Sequence, residues 1–283
     1  VLVVNSNQSV DRYRVAETVY INSLIGASGV DIHTTVLNLE TEAQPIKYLQ
    51  DMINQSHYDI VYCIGAKALG SIDYIDPDMP VIYSAVLNWR KFQHRNNFFG
   101  IASELSPEVQ LTWFKYFFPK LNDIGVLYSE ESHSLIEDAE LVAENLSLNI
   151  NALKLNNDGQ LMLSAKKLLK NVDALWLISD SKVVSSIKNL DSLFHLADKL
   201  DVPVITYNSI FMDLGATMSL VADLPTTARQ AALLSKKIIG ESVVDNFIQF
   251  PAGSRIMLNS HKVEEYKIKL NPESLGSVDK LYK

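Results

Sequence analysis

Short apolar runs alternate along the chain with stretches whose apolar positions recur every three or four residues. The runs VLVVN (1–5), IHTTVLN (32–38), IVYCIG (60–65), VIYSAV (81–86) and FFGIAS (98–103) fill the first part. The second part carries IGVLYS (124–129), INALKLN (150–156), ALWLIS (174–179), VPVITYN (202–208) and ATMSLVA (216–222). They are rich in β-branched residues and mostly apolar at successive positions, which predicts strands of a parallel sheet covered on both faces. Helical spacing from about Asp11 to Ile25 and over 42–55 completes the first strand–helix units. The alternation predicts α/β architecture.

The two halves echo one another. LVVNSNQS (2–9) resembles GVLYSEES (125–132), and VDIHTTVLN (30–38) resembles LNINALKLN (148–156). DIVYCIGAKALGSI (59–72) resembles DALWLISDSKVVSSI (173–187), MPVIYSA (79–85) resembles VPVITYN (202–208), and LSPEVQ (105–110) resembles LPTTARQ (224–230). Five echoes in one order predict two similar open parallel-sheet lobes. Ligands of such sheets bind beyond the carboxyl ends of the strands, where the strand order reverses. The positions just after the strands are therefore the candidates: Asn7 and Gln8, Ala66 and Lys67, Ser84, Ala85, Asn88 and Trp89 in the first half. Tyr128, Ser132, Ser134, Ser179, Asp180, Tyr207 and Asn208 are their counterparts in the second, with Ser103 and Glu104 after the fifth run. The set is rich in Ser, Asn and Tyr and poor in groups that titrate near neutral pH.

A length of 283 residues suits two domains. An apolar share of 47% with 20% charged residues is that of a soluble globular protein. The net charge of −8, without a Lys/Arg block, argues against a nucleic-acid partner. The lone Cys63 forms no intrachain disulfide, and a small buried apolar side chain is its plain reading. No apolar run is long enough for a membrane helix. The sequence opens inside a strand-like run, as though a leader had been trimmed.

Catalytic chemistry finds little to work with. The G-x-S-x-G elbow is absent, and His133 is the one histidine in a strand-end loop, so Ser179–His133 is a weak nucleophile–base pair beside the plain reading of a solvated loop histidine. GAKALGS (65–71) has the two glycines of a phosphate loop, but Ser71 stands where the lysine belongs. GAK instead opens a helix whose N–H groups can hold an anion, or is a plain strand–helix turn with an exposed Lys67. No zinc motif occurs, and no cofactor is expected. Ser179-Asp180-Ser181 reads as a helix cap that can also meet a ligand amine. Tyr128, Tyr207 and Trp89 are either core filling or stacking surfaces. Trp113 and Trp176 read as core.

The ordered set IGAKALGSI, PVIYSAVLNW, FFGIASELSPEVQL, IGVLYSEESHS, DALWLISDSKVV, PVITYN and GATMSLVAD resembles the tryptophan/tyrosine-type substrate-binding proteins of ABC transporters. The resemblance covers nearly the whole chain. It implies a type I periplasmic-binding fold in which two lobes close on a ligand about three crossovers, near 103–106, 222–225 and 247–251. The implied lobes are 1–103 plus 222–248 and 104–221 plus 249–283. It also implies that a ligand carboxylate is held at Ala66-Lys67, Ser84-Ala85 and 132–134, with Asp180 as the family's acidic residue. Two departures fall at the pocket. Family members usually carry Thr, Pro or Ala where this chain has Ala66-Lys67, and Thr-Asp-Pro where it has Leu87-Asn88-Trp89. The expectation is a non-catalytic, extracytoplasmic receptor that takes a small polar organic ligand, amino acids among the candidates. It would deliver that ligand to a membrane permease, with tethering to the membrane compatible. The alternative is the same fold as the sensor domain of a membrane signalling protein.

Overall fold

Strand β1 (Leu2–Asn5) has no exposed residue, and the same holds for β3 (Val61–Ile64), β4 (Val81–Ser84), β5 (Phe98–Ile101), β8 (Ala174–Leu177) and β9 (Val204–Thr206). Burial on both faces is what the continuous apolar runs dictate. The structure is a computed structural model and describes residues 1–26, 32–87, 89–92, 94–240 and 247–283. The chain divides into two units, Val1–Ser103 with Ala222–Gly253, and Glu104–Val221 with Ser254–Lys283.

In the first unit the strand order is β11-β5-β4-β3-β1-β2, with β2 at Thr35–Asn38 and β11 at Ile248–Gln249. β1 pairs in parallel with β2 on one side and β3 on the other, so the order reverses between β1 and β3. Helix α1 (Asp11–Ile25) packs Ala16, Tyr20 and Leu24 on one face of the sheet. Helices α2 (Pro45–Gln55) and α3 (Ala66–Ile75) cover the other, through Leu49, Ala68, Leu69 and Ile72.

The second unit repeats the plan with the order β13-β12-β10-β9-β8-β6-β7. Here β6 (Asp123–Tyr128) pairs in parallel with both β7 (Asn149–Lys154) and β8. Helix α5 (His133–Leu146) lies on one face, and α6 (Leu161–Leu168) and α7 (Ile187–Lys199) on the other. Strands β10 (Met218–Ala222), β12 (Ser254–Asn259) and β13 (Lys280–Tyr282) extend the sheet.

The units exchange helices. α4 (Pro107–Phe117) follows β5 of the first unit but buries Leu111, Phe114 and Phe117 in the second, against α5. α8 (Leu224–Gly240) follows β10 of the second but packs against α1 in the first. Both start at the echoing stretches, and each is capped there. The Ser106 hydroxyl accepts from the Val109 amide at 3.3 Å, with Pro107 behind it. The Asp223 carboxylate accepts from the Thr226 amide at 3.0 Å and its hydroxyl at 2.6 Å. The last change of unit comes after Gly253, later than the 248/249 boundary read from the sequence. The cause is local: β11 pairs with β5, and the Asp223 amide donates to the Gly253 carbonyl at 2.9 Å. The short strands β11 and β13 carry no periodic signal of their own.

Helix α9 (Ser260–Glu265) anchors the C-terminal segment. Its Lys262 ammonium pairs with Asp198 of α7, and the Tyr266 hydroxyl donates to the same carboxylate at 2.5 Å. These two donors, Lys262 first, hold the Asp198 carboxyl below its ordinary range.

Two outcomes are expected. A Cβ at residue 100 would come within 2.2 Å of the Tyr83 ring, which lies across the Gly100 backbone. Gly100→Ala therefore destabilises the protein by about 1–3 kcal/mol in denaturant unfolding. The lowered Asp198 value means its contribution is present above pH ~4 and is lost as pH falls through the folded-state value. Asp198 is half exposed, so Asp198→Asn costs only about 0.2–1 kcal/mol at pH 7. That difference from the parent closes in unfolding curves taken below pH ~4.

Candidate functional site

The switch points of the two sheets are the places to look. In the first unit β1 ends at Asn5 and β3 at Ile64, register partners. Beyond them the chain turns to opposite faces, into α1 and α3. The Ser6 hydroxyl bridges the parting by accepting from the Ala68 amide of α3 at 2.9 Å. Gly65 permits the close approach: its φ is +86°, and a Cβ there would lie 2.7 Å from the Ser6 hydroxyl. Ala66 and Lys67 form the exposed first turn of α3. The Lys67 ammonium contacts the Leu39 carbonyl and Glu40, both at 3.3 Å, and is half exposed.

Asn5 shapes the loop after β1. It is fully buried, donates to Glu17 at 2.7 Å and accepts from the Asn7 amide at 3.0 Å. Gln8 donates to the same Glu17 at 2.8 Å, and Asn7 accepts from Ser9. The side chains of Asn7 and Gln8 thus shape the loop. After β4, the Ser84 hydroxyl is spent on buried Tyr62 at 2.6 Å, and the Ser84 carbonyl holds the Gly65 amide at 3.0 Å. Burial raises the Tyr62 phenol well above its ordinary value. Ala85 adopts φ +56°, unusual for a residue with a Cβ and a sign of a constrained turn. Ser103, the last residue before the first change of unit, donates to the Val86 carbonyl at 2.7 Å. Trp89 is only 4% exposed, meets the more exposed Phe250 edge-on, and has the Arg90 guanidinium 4.3 Å over its ring. Its side chain belongs to the buried core of the first unit. Asn88 lies outside the described residues.

The second unit carries the same device with different chemistry. Ser129 occupies the place of Ser6, and Asp180 that of Ala66. The Asp180 carboxylate accepts from the Ser129 amide at 2.7 Å and hydroxyl at 2.9 Å, and from the Lys182 and Val183 amides at 3.0 and 3.4 Å. It has no exposed surface. This revises two readings of Ser179-Asp180-Ser181. The helix starts only at Ile187, where Ser186 caps it by accepting from the Asn189 amide at 3.1 Å, so the triplet forms a turn. Asp180 has both oxygens engaged inside the protein, so it fixes the site rather than gripping a ligand amine. Its local signal, an acid after a strand, is the same for either role.

Around it, Ser181 donates its amide and hydroxyl to Glu131, and Glu130 pairs with Lys154. Tyr207, nearly buried, faces the Ser179 side chain. Burial raises its phenol, and the negative charge of Glu104 adds to the rise. Glu104 is itself 7% exposed, at the start of the second unit. Tyr128 stacks on His133 with ring centroids 6.2 Å apart, and His133 meets Glu137 rather than a serine. Ser134 is exposed, Ser132 nearly buried, and Asn208 caps the following turn through the Ile210 amide at 3.2 Å. Trp176 is core and donates to Gln110 at 3.0 Å. Cys63 is buried, and burial pushes its thiol up. Among the described residues no three His, Cys, Asp or Glu side chains gather as metal ligands would, and no helix is long and apolar enough to cross a membrane.

Asp180→Ala removes the acceptor of the buried Ser129 amide and hydroxyl and of the Lys182 amide, and is expected to destabilise the protein by about 3 kcal/mol in denaturant unfolding. Lys67→Ala, at a half-exposed surface pair, should change stability by about 0.5 kcal/mol or less. Equal costs for the two changes would contradict the buried role of Asp180.

The structure is similar to a ligand-free, open substrate binding protein with adhesive properties from Clostridium difficile, with TM-score 0.74 and 16% identity over 100% of this chain and 99% of that one. It is also similar to an ABC domain from Streptococcus pneumoniae in complex with L-Trp, with TM-score 0.64 and 16% identity over 99% and 100%. A periplasmic ribose ABC transporter protein from Conexibacter woesei gives TM-score 0.55 and 9% identity over 93% of each chain. At such identities these likenesses establish the fold, that of the type I periplasmic-binding proteins. No curated protein matches by sequence. The family described as ABC transporter substrate binding protein matches residues 27–281. The chain belongs to that family, and it is a solute-binding receptor of the ABC-transporter type.

Proposed function

We propose that the receptor takes a small polar organic ligand of the amino-acid type, held by lobe closure, and passes it to a membrane permease outside the cytoplasm. The observation that carries this reading is the pair of matching switch-point edges. Each has its serine clasp made. In the first, the α3 N-terminus and Lys67 offer positive potential to an anionic group such as a carboxylate. Ala85 holds a constrained backbone beside it. In the second, Tyr128 supplies a half-buried aromatic face, and the Ser179–Tyr207 pair supplies hydroxyls. The L-Trp bound to the S. pneumoniae protein supports an amino-acid ligand, and the Lys67 substitution argues that its side chain or charge differs. Charges already paired within the protein suit a receptor better than an acid–base catalyst. The family supports a permease partner and an extracytoplasmic location, and a membrane tether is compatible with both.

A thermal-shift panel of amino acids and small carboxylates tests this. A ligand at 100-fold its Kd stabilises the protein by about 2.7 kcal/mol, raising the melting temperature by several degrees. Calorimetric titration of that ligand should give one site, weakened about tenfold in Lys67→Ala. A panel without a single stabilising member would reject the amino-acid reading, and undiminished binding by Lys67→Ala would reject the anion site.

A further inference from the structure

The adjoining strands β9 and β10 carry three hydroxyls in an otherwise apolar layer. Thr206 and Ser219 are register partners on these parallel strands, and Thr217 lies two residues before Ser219 on the same face. Thr206 shares its face with Val204, which packs with Leu175 and Leu177. The three residues are 1%, 0% and 0% exposed for Thr206, Thr217 and Ser219. Their Oγ atoms are buried and, among the described residues, meet no hydrogen-bond partner. A buried hydroxyl without a partner is rare, because it loses its bonds to water without replacement. Three on neighbouring positions would concentrate that loss in one place. Backbone groups here are occupied by the sheet: the Thr217 amide donates to the Val204 carbonyl at 2.9 Å, and the Thr217 carbonyl accepts from the Asn259 amide at 2.9 Å.

We propose that this hydroxyl seam is an internal water site, in which ordered water bridges Thr206, Thr217 and Ser219. A hydroxyl donates once and accepts twice, and internal waters characteristically make about three such bonds. The donor–acceptor sets therefore match. The site spans the end of β9 and the start of β10, on the sheet face that carries Val204. It is independent of which solute the receptor carries.

The test is oxygen-17 relaxation dispersion on the intact protein, which reports long-lived internal water, together with thermal unfolding. Ser219→Val should remove a long-lived water signal present in the parent. Ser219→Ala and Thr206→Val should each lower the melting temperature by about 2 °C or more, since each strips the water of a partner. Unchanged or raised melting temperatures in both variants would mean dry, unpartnered hydroxyls and would overturn the proposal. If Ser219→Val fails to fold, a crystal structure of the parent decides. Water within hydrogen-bond distance of at least two of the hydroxyls supports the site. A dry seam, or side chains rotated onto protein carbonyls, refutes it.

Discussion

Where the order of an open parallel sheet reverses, the segments leaving two neighbouring strands turn to opposite faces, and the ladder that joined them ends. Something else must hold the strand ends together, or the edge has no fixed shape. In both units a serine does this. Ser6 reaches the amide of Ala68, and Ser129 gives its amide and hydroxyl to Asp180. The first clasp needs a residue without a Cβ at position 65, since a side chain there would collide with the Ser6 hydroxyl. The second uses a side chain where the first uses a main-chain amide. A buried carboxylate is tolerated there because four protein donors replace its hydration.

Each unit also takes in a helix borrowed across the chain's changes of unit. Once α4 and α8 are exchanged, each unit completes its core with a segment that begins at a crossover, capped at Ser106 or Asp223. The crossovers are thereby tied to the cores and to the strand ends. Ser103 holds the Val86 carbonyl beside Ala85, and Asp223 holds Gly253. Tyr62, stacked on Tyr20, joins Ser84 to the same system, because the Tyr20 hydroxyl bonds Ser235 of α8 at 2.6 Å. A polar chain thus runs from the edge of the first sheet to the borrowed helix.

The alternation and the internal echo were legible because strand burial on two faces and a duplicated plan both leave marks in residue order. The paired stretches even aligned Ser6 with Ser129, which the structure shows doing equivalent work. Less legible was what each polar side chain faces. Asp180, Ser84, Asn7 and Gln8 sit at strand ends, as a ligand-contacting residue would, and each also satisfies a neighbour within the protein. Trp89 follows a strand like Tyr128, but it turns into the core. Direction at a loop depends on packing partners far away in sequence, such as Phe250 for Trp89 and Glu17 for Gln8. Local pattern carries none of that. The helix start after Ser179 was misplaced for a related reason. Cap-forming residues also favour turns, and the turn here is chosen by Ser129 and Glu131, about fifty residues upstream.

The internal pairing of these groups has a consequence for what the edges can do. Glu130 is neutralised by Lys154, Glu131 holds Ser181, Lys67 touches Glu40, and Asp180 is fully enclosed. A receptor needs an edge whose shape and charge are set before the solute arrives. Little ordering then remains to oppose binding. The constrained turn at Ala85 and the clasped serines are what such an edge requires. Affinity can then come from a few remaining donors and an aromatic face.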